Sequence, residues 1–488
     1  MFLATLFRKQ RFIQVFFENT NSLRVLPSQI PCKIKSYKTN NFSNTKALYH
    51  TTTWLSTLKS PQDPVRSFDC SHAGAPPFNR ANRPQDLFVQ VAEQQVRNQE
   101  VGMMTELVRD FLDPADFYKA LHNIGIEYFC GVPDSLLKDF CAYIAETSPK
   151  DRHIITANEG SAVALATGYH LATGKSSLVY LQNSGLGNIV NPLMSLASTS
   201  VYSIPMLLLV GWRGEPGKRD EPQHLVQGHA TPGLLASMGI PFQPLPDYQE
   251  GAEQALKTAR HYMESSKGPY CLLVRRQTFL PYKLREKTPE FLLTREEAMK
   301  IIIDNIGSKD AVVSTTGMLS RELFEYRVEK DMGHERDFLT VGSMGHASAI
   351  ALGIASQKPN KQVFCLDGDG AVIMHMGALS TIGQRGSDNL KHVIINNGCH
   401  DSVGGQMTDA GNHDSFDFCE ITKSCGYKDA KTVISEEELK EGILWLRQTP
   451  GPALLQVKVN VGGRSNLGRP TRTTHENKAD FMHFLAIK

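Results

Sequence analysis

The chain has 488 residues, a length that fits two or three domains rather than one. Its 41% hydrophobic and 21% charged residues are ordinary for a globular protein, and its net charge of +2 indicates neither a nucleic-acid partner nor an anionic membrane. No apolar run reaches the ~18 residues that a bilayer span needs. Nine scattered cysteines without a C-x-x-C pair predict reduced, mostly buried thiols, an intracellular compartment and no zinc site.

The first part of the chain differs from the rest in charge. Glu18 is the only acidic residue among residues 1–62, which carry nine Lys or Arg residues among interleaved apolar ones. A basic, acid-poor leader of this kind is typical of a mitochondrial transit peptide. We therefore expect a mitochondrial protein, or a cytoplasmic one if residues 1–62 are only a tail. Residues 63–103, rich in Pro, Gly and Ser, indicate a linker.

Globular patterning begins near Asp113, which can cap a helix that starts at Pro114. Strand and helix signals then alternate, which predicts α/β domains with parallel sheets and helices on both faces. We place one domain at 104–288 and a second at 289–488. The first contains predicted strands at 126–130, 153–156, 177–182 and 206–211 and helices at 134–145, 161–172 and 189–197. The second contains predicted strands at 311–314, 362–366 and 392–395 and helices at 294–305, 344–356 and 377–383.

Two neighbouring strands of the second domain end in polar residues. One ends in Gly368-Asp369-Gly370, and the next ends in Asn396-Asn397. Open α/β sheets bind ligands at the carboxyl ends of their strands, and Mg²⁺ prefers oxygen ligands such as these. The glycines also let the backbone approach a diphosphate, which the N–H groups opening the next helix can hold.

This pair of motifs resembles the cofactor motif of thiamine-diphosphate enzymes. The resemblance implies that Asp369, Asn397 and the backbone carbonyl of Cys399 bind Mg²⁺, while Gly368, Gly370 and Ala371 adjoin the diphosphate. The spacing is slightly longer than in common relatives, so Asn396 is an alternative to Asn397.

Other segments match the same family. Glu159 opens an Ala-rich helix, and the resemblance gives it the catalytic role of hydrogen-bonding the aminopyrimidine ring, rather than a capping role. In the same way Met344 and Gly342, in Gly342-Ser343-Met344-Gly345, support the bent cofactor, although Met344 alone would suit an ordinary core. Thr316 follows a strand and matches the region that contacts the cofactor.

Four further segments narrow the substrate. Residues 131–137, 182–188, 211–217 and 220–224 resemble those of phosphonopyruvate decarboxylases and the related sulfopyruvate decarboxylases. Candidate substrate-binding residues are Asp134, Asn183, Ser184 and Arg213. An Arg can hold a phosphonate through a bidentate fork, but a solvated basic loop explains Arg213 equally well. His224 and Asp401 are candidates for proton handling, and each has a structural alternative.

The resemblance implies an α/β protein with two doubly wound parallel-sheet domains of thiamine-diphosphate-binding type and no middle domain. It also implies Mg²⁺-dependent decarboxylation of 3-phosphonopyruvate, a 2-oxo acid bearing a phosphonate, to phosphonoacetaldehyde and CO₂. Sulfopyruvate decarboxylation, 2-oxo acid carboligation and non-catalytic cofactor binding are the alternatives, and the intact Glu159, Asp369 and Asn397 argue against the last. We expect a homodimer or higher homo-oligomer, with neither nucleic acid nor membrane as partner.

The leader hypothesis predicts that a chain beginning at Met103 folds and keeps its catalytic activity. The reason is that the globular pattern starts only near Asp113. Thermal unfolding and activity of the truncated and full-length proteins, measured in parallel, check this. Aggregation or inactivity of the truncated chain would contradict the hypothesis.

Overall fold

Two parallel six-stranded sheets dominate this computed structural model, which describes residues 111–285, 290–412 and 415–487. All of these residues belong to one compact unit. The predicted leader (1–62) and linker (63–103) lie outside the described residues. The predicted domain boundary at 288/289 falls between the two sheets and stays a prediction.

The first sheet has the strand order β2-β1-β3-β4-β6-β5, and every pair in it is parallel. Its strands are β1 (Phe129–Gly131), β2 (His153–Ile155), β3 (Leu178–Gln182), β4 (Leu207–Gly211), β5 (Phe242–Pro244) and β6 (Tyr270–Val274). Its helices are α1 (Pro114–Asn123), α2 (Lys138–Thr147), α3 (Glu159–Thr173), α4 (Leu186–Pro192), α5 (Pro222–Ser237) and α6 (Gln249–Ser266).

The second sheet has the order β13-β14-β10-β9-β7-β8 and is also fully parallel. Its strands are β7 (Ala311–Ser314), β8 (Asp337–Leu339), β9 (Val363–Gly368), β10 (Leu390–Asn396), β13 (Asp429–Val433) and β14 (Ala453–Lys458). Between β10 and β13 lies an antiparallel hairpin of β11 (Cys399–His400) and β12 (Gln406–Met407). The helices are α7 (Arg295–Asn305), α8 (Met318–Glu329), α9 (Ala347–Gln357), α10 (Asp369–Met374), α11 (Gly377–Arg385), α12 (Phe418–Cys425), α13 (Glu436–Gln448) and α14 (Thr474–Ala486).

Each sheet is covered by helices on both faces. Successive side chains of a strand point to opposite faces, so Phe364 and Leu366 of β9 join one buried cluster while Val363 and Cys365 join another. The strands of the first sheet divide in the same way between two clusters. The predicted doubly wound α/β fold without a middle domain is therefore confirmed.

Local signals placed several helices correctly and missed others. Asp113 caps α1 as predicted, its side chain accepting a hydrogen bond from the N–H of Ala115. Helix α14 was not predicted, although Thr473 and Glu476 form a capping box at its start. Its burial depends on Phe481 and Phe484, which join a core cluster of the second sheet.

The predicted burial of the cysteines holds for the part of the chain that the structure describes. Seven free thiols lie there, of which six are buried. Within the same residues, no helix has the length and apolar character to cross a bilayer.

Candidate active site

A cleft opens at the carboxyl edge of the second sheet, where the strand order reverses. Strand β8, which follows β7 in the chain, pairs with one side of β7, whereas β9 pairs with the other side. The order of the strands therefore reverses at β7. Ligands of open α/β sheets bind at such switch points. The cleft is lined by Arg295, Thr315–Leu319, Met344, Gly368–Ala371, Ile395, Asn397 and Cys399–Ser402.

Asp369 is the first residue of α10 and is buried in this cleft, with 3% of its surface exposed. The Thr408 hydroxyl donates a 2.5 Å hydrogen bond to its Oδ2. Burial raises the pKa of Asp369 to about 6, although hydrogen bonds from Thr408 and from the backbone oppose this shift. A buried carboxylate with neutral donors has unsatisfied negative charge, which suits a cation ligand.

Of the two asparagines that end β10, Asn397 lines the cleft and Asn396 does not. The side-chain oxygen of Asn396 instead accepts a 2.9 Å hydrogen bond from the N–H of Gly398. The Asn397 amide nitrogen donates to Asp401 at 2.6 Å. This geometry favours Asn397 over Asn396, and Cys399 lines the same cleft.

Of the other predicted cofactor residues, five line the cleft and one does not. Thr316, Met344, Gly368, Gly370 and Ala371 line the cleft. Gly342 does not line it: its backbone lies beside the Gln223 side chain, which is 3.5 Å from where a Cβ would stand.

Among the cleft residues that sequence reasoning missed, two are ionisable, Arg295 and His400. Arg295 begins α7, far from the motifs, and its buried guanidinium pairs with Glu322 at 2.8 Å and Asp401 at 2.6 Å. Burial lowers the pKa of His400 to about 4, so its ring is neutral at pH 7. Only chain proximity to Asn397 offered a sequence signal for His400, and nothing local singled out Arg295.

The first sheet has its own switch point, between β1 and β3, and there Asp134 lies fully buried. The Gln182 amide donates to Asp134 Oδ1 at 2.5 Å, and the Leu136 N–H donates to Oδ2 at 2.9 Å. Burial raises the pKa of Asp134 despite these donors. Ser184, more exposed, donates to Gln182 at 2.7 Å.

Arg213 follows β4 and is already paired within this chain. Its Nε and Nη2 form a fork with Asp220 at 2.9 and 2.5 Å, and its Nη1 donates to the Ser135 hydroxyl at 2.8 Å. Although burial would raise it, the pKa of Asp220 lies well below its usual range because Arg213 and His224 donate hydrogen bonds to it. The guanidinium is therefore rigidly aimed rather than loosely solvated.

Asn183 and His224 support this arrangement. The buried Asn183 amide donates to the Arg213 carbonyl at 2.8 Å and accepts from the Arg213 N–H at 3.1 Å. His224 Nδ1 lies 3.0 Å from Asp220 Oδ1, and burial followed by the nearby Arg213 charge lowers its pKa. Asn183 thus orients the backbone at Arg213.

Glu159 begins α3 and has 4% of its surface exposed. Burial raises its pKa, while the Asn188 amide donates to its Oε2 at 2.7 Å and opposes that shift. A Cβ at Gly185 would stand 2.3 Å from Glu159 Oε1, so this carboxyl requires glycine beside it. Glu159 is not among the residues that line the described cleft.

Behind the cleft, Cys365, Asp367 and His392 bring potential ligand atoms within 4.8 Å of one another. All three side chains are buried, and His392 Nδ1 lies 3.0 Å from the Tyr427 hydroxyl. The cluster combines a thiol, a carboxyl group and an imidazole from β9 and β10, so no C-x-x-C spacing marks it in the sequence.

Replacing Asp369 by Asn should stabilise the metal-free protein at neutral pH. The folded-state pKa of about 6 exceeds the ordinary 3.8, so the wild type loses stability as the pH rises through this range. A shift of this size corresponds to at most about 3 kcal/mol. Urea unfolding from pH 5 to 7.5 should show a growing advantage for Asp369→Asn. A pH-independent difference, or the same trend for the exposed Asp429→Asn, would contradict the assignment.

Comparison with known proteins identifies the family of both halves of the chain. A family model described as the N-terminal TPP binding domain of thiamine pyrophosphate enzymes matches residues 115–233, and the corresponding C-terminal TPP binding domain matches residues 315–457. These matches contain Glu159 and Asp369 respectively.

Curated relatives match along most of their length. Phosphonopyruvate decarboxylase of Streptomyces viridochromogenes is 32% identical over 387 residues, covering 76% of this chain and 94% of the relative. The enzyme of the same name from Streptomyces hygroscopicus is 31% identical, with the same coverages. Sulfopyruvate decarboxylase subunit beta of Methanocaldococcus jannaschii is 40% identical over 147 residues, covering 30% of this chain and 74% of that subunit. The chain therefore belongs to the thiamine pyrophosphate enzyme family, among the decarboxylases that include phosphonopyruvate decarboxylase.

Proposed function

We propose that the chain decarboxylates 3-phosphonopyruvate to phosphonoacetaldehyde and CO₂ with thiamine diphosphate and Mg²⁺. The observation that carries this proposal is the 32% identity to a phosphonopyruvate decarboxylase across 94% of that enzyme. Mitochondrial location is a separate proposal and rests only on the composition of residues 1–62.

The residues of the cleft fit the cofactor. Asp369, the Asn397 side chain and the Cys399 carbonyl offer Mg²⁺ the oxygen ligands it prefers. Gly370 has little room for a side chain, because a Cβ there would stand 3.1 Å from the His400 ring, whereas a Cβ at Gly368 would meet nothing within 4 Å. When bound, thiamine diphosphate supplies the nucleophilic carbon and the electron sink for breaking the carbon–carbon bond.

We assign Glu159 to the aminopyrimidine end of the cofactor, where its carboxyl group would hold and exchange a proton with the bound ring. Its burial raises the pKa of the carboxyl, which brings it nearer to that of a ring nitrogen and favours proton exchange. Asn188 holds one carboxyl oxygen, and Gly185 leaves room for the other.

The phosphonate is held by Arg213 in this proposal. Its fork to Asp220 and its bond to Ser135 fix the guanidinium at the carboxyl edge of the first sheet, beside Asp134 and Gln182. Asp220 offsets much of the Arg213 charge. The phosphonate must therefore either displace Asp220 from the guanidinium or bind the guanidinium alongside Asp220. Holding the anionic group orients the bond to be broken and spares the carbon–phosphorus bond.

Proton delivery to the product is assigned to His224. Its Nδ1 N–H donates to Asp220 and its lowered pKa keeps the ring neutral at pH 7, so Nε2 would first take a proton from solvent and then pass it to the product. Asp401 is less suited to this role, because Arg295 and Asn397 both donate to its Oδ2.

Sulfopyruvate decarboxylation is the second candidate, supported by the 40% identity to the Methanocaldococcus jannaschii subunit. A sulfonate and a phosphonate both suit a guanidinium fork. Initial rates on phosphonopyruvate, sulfopyruvate and pyruvate, measured side by side, decide between them. Preference for sulfopyruvate would overturn the phosphonate assignment and leave the cofactor chemistry intact.

Arg213→Lys should raise the KM for phosphonopyruvate by about tenfold or more and change turnover of plain pyruvate little. Lys keeps a charge beside Asp220 but cannot form the fork. We choose Lys over Leu because Leu would leave the buried Asp220 without its main partner. The matched control is Arg276→Lys, since Arg276 lies 3.8 Å from the same carboxylate but is largely exposed. Equal losses on both substrates would indicate a structural role.

We further propose that two chains assemble and share their active sites. The described cleft is lined only by residues 295–402, whereas Glu159 lies in the half built on the first sheet. Neighbouring elements of that half expose Leu165, Leu171 and Met194, an apolar surface suited to a second copy. The opposing arrangement, one complete site per chain, has support in the 3.4 Å bond from Asn158 to the Met374 carbonyl.

Mixing two inactive variants tests the shared site. Glu159→Gln and Asp369→Ala should each be inactive alone, and subunit exchange should restore activity because a mixed dimer has one site with both native residues. Exchange is verified independently with fluorescently labelled chains. Demonstrated exchange without recovered activity would place each site within one chain.

A further inference from the structure

The β11–β12 hairpin contacts two of the three proposed metal ligands, the side chains of Asp369 and Asn397, and begins with the third, Cys399. We call residues 399–408 the clamp hairpin. Near its start, Asp401 Oδ2 accepts a 2.6 Å hydrogen bond from the Asn397 amide. At its end, Thr408 donates a 2.5 Å hydrogen bond to Asp369 Oδ2. Asp369 follows β9 and Asn397 follows β10, so one short hairpin contacts residues at the ends of two different strands.

A buried cation holds the clamp hairpin in place. Arg295 Nη1 donates to Asp401 Oδ2 at 2.6 Å, while its Nε and Nη2 donate to Glu322 at 3.0 and 2.8 Å. The side chains of Arg295 and Glu322 are 9% and 0% exposed. Because desolvation cancels most of the attraction in such pairs, their net contribution to stability is small. The main effect of these ion pairs is therefore to fix the position and direction of the Asp401 carboxylate.

The chemistry of this contact sets the orientation of Asn397. A carboxylate paired with a guanidinium only accepts hydrogen bonds, so Asp401 must face the NH₂ group of the Asn397 amide. The amide oxygen then points away from Asp401, and only that oxygen can bind a cation. The Asn397 oxygen also accepts a 3.2 Å hydrogen bond from the Cys399 N–H, so loss of Asp401 removes one of the two hydrogen bonds that set the orientation of the amide.

We propose that Asp401, fixed by Arg295, and Thr408 are positioning residues of the magnesium site: Asp401 sets the amide orientation of Asn397, and Thr408 sets the carboxylate of Asp369. The inference rests on the proposed function, which assigns Mg²⁺ to these two side chains and to the Cys399 carbonyl. Groups that orient metal ligands typically change metal affinity by about 10- to 100-fold when they are removed.

The test is a calorimetric titration of Mg²⁺ into the full chain at saturating thiamine diphosphate. Asp401→Asn keeps the shape of the side chain, but its amide can donate as well as accept a hydrogen bond. It can therefore face either end of the Asn397 amide, and the Mg²⁺ Kd should rise about 10- to 100-fold. Thr408→Val should weaken binding similarly, and Thr408→Ser should restore it. Asp429→Asn, an exposed carboxylate of the same half, is the matched control and should bind as the wild type.

Melting temperatures without metal separate positioning from loss of fold. We expect metal-free Asp401→Asn and Thr408→Val to melt near the wild type, with a smaller rise on adding Mg²⁺. If Asp401→Asn does not fold, the Thr408 pair decides alone. Unchanged Mg²⁺ affinity in Thr408→Val, with binding abolished in Asp369→Ala, would overturn the positioning role and keep the metal site. Full Mg²⁺ affinity in Asp369→Ala would instead overturn the proposed metal site itself.

Discussion

Every strand of a parallel sheet ends at the same edge, and this constraint determines where the polar groups of the molecule can meet. In the second sheet the reversal of strand order between β7 and β9 opens a cleft at that edge. In the first sheet the corresponding reversal brings Asp134 together with Gln182. Two similar sheets thus provide two polar edges, each with a buried carboxyl group held by neutral hydrogen-bond donors.

The charges at these edges are tuned by their partners. Asp369, Glu159 and Asp134 are buried among neutral donors, and burial raises the pKa of each. Asp220 is held by Arg213 instead, and its pKa is low. Burial disfavours the charged form of the first three carboxyl groups, whereas the hydrogen bonds from Arg213 and His224 favour the charged form of Asp220.

Glycines create the space for these buried carboxyls. A Cβ at Gly211 would stand 2.0 Å from Asp134 Oδ2, and one at Gly185 would stand 2.3 Å from Glu159 Oε1. Gly211 ends β4 and Gly185 follows β3, at the sheet edge where Asp134 and Glu159 lie. Glycine suits both positions because the backbone passes too close to the carboxyl group for a side chain. The carboxyls are held by hydrogen bonds and by packing against the main chain.

The sequence by itself determined the fold class and the main motifs, because both depend on local patterns. Alternating strand and helix signals established the doubly wound sheets, and short motifs placed Asp369, Asn397 and Glu159 at element ends. The tertiary structure alone brought Arg295 to Asp401, which lie 106 residues apart, and favoured Asn397 over its neighbour. It also showed that Arg213 is paired rather than solvated. Such contacts form only when the ends of separate strands come together in the folded protein. The spacing of residues along the chain does not show which ends will meet.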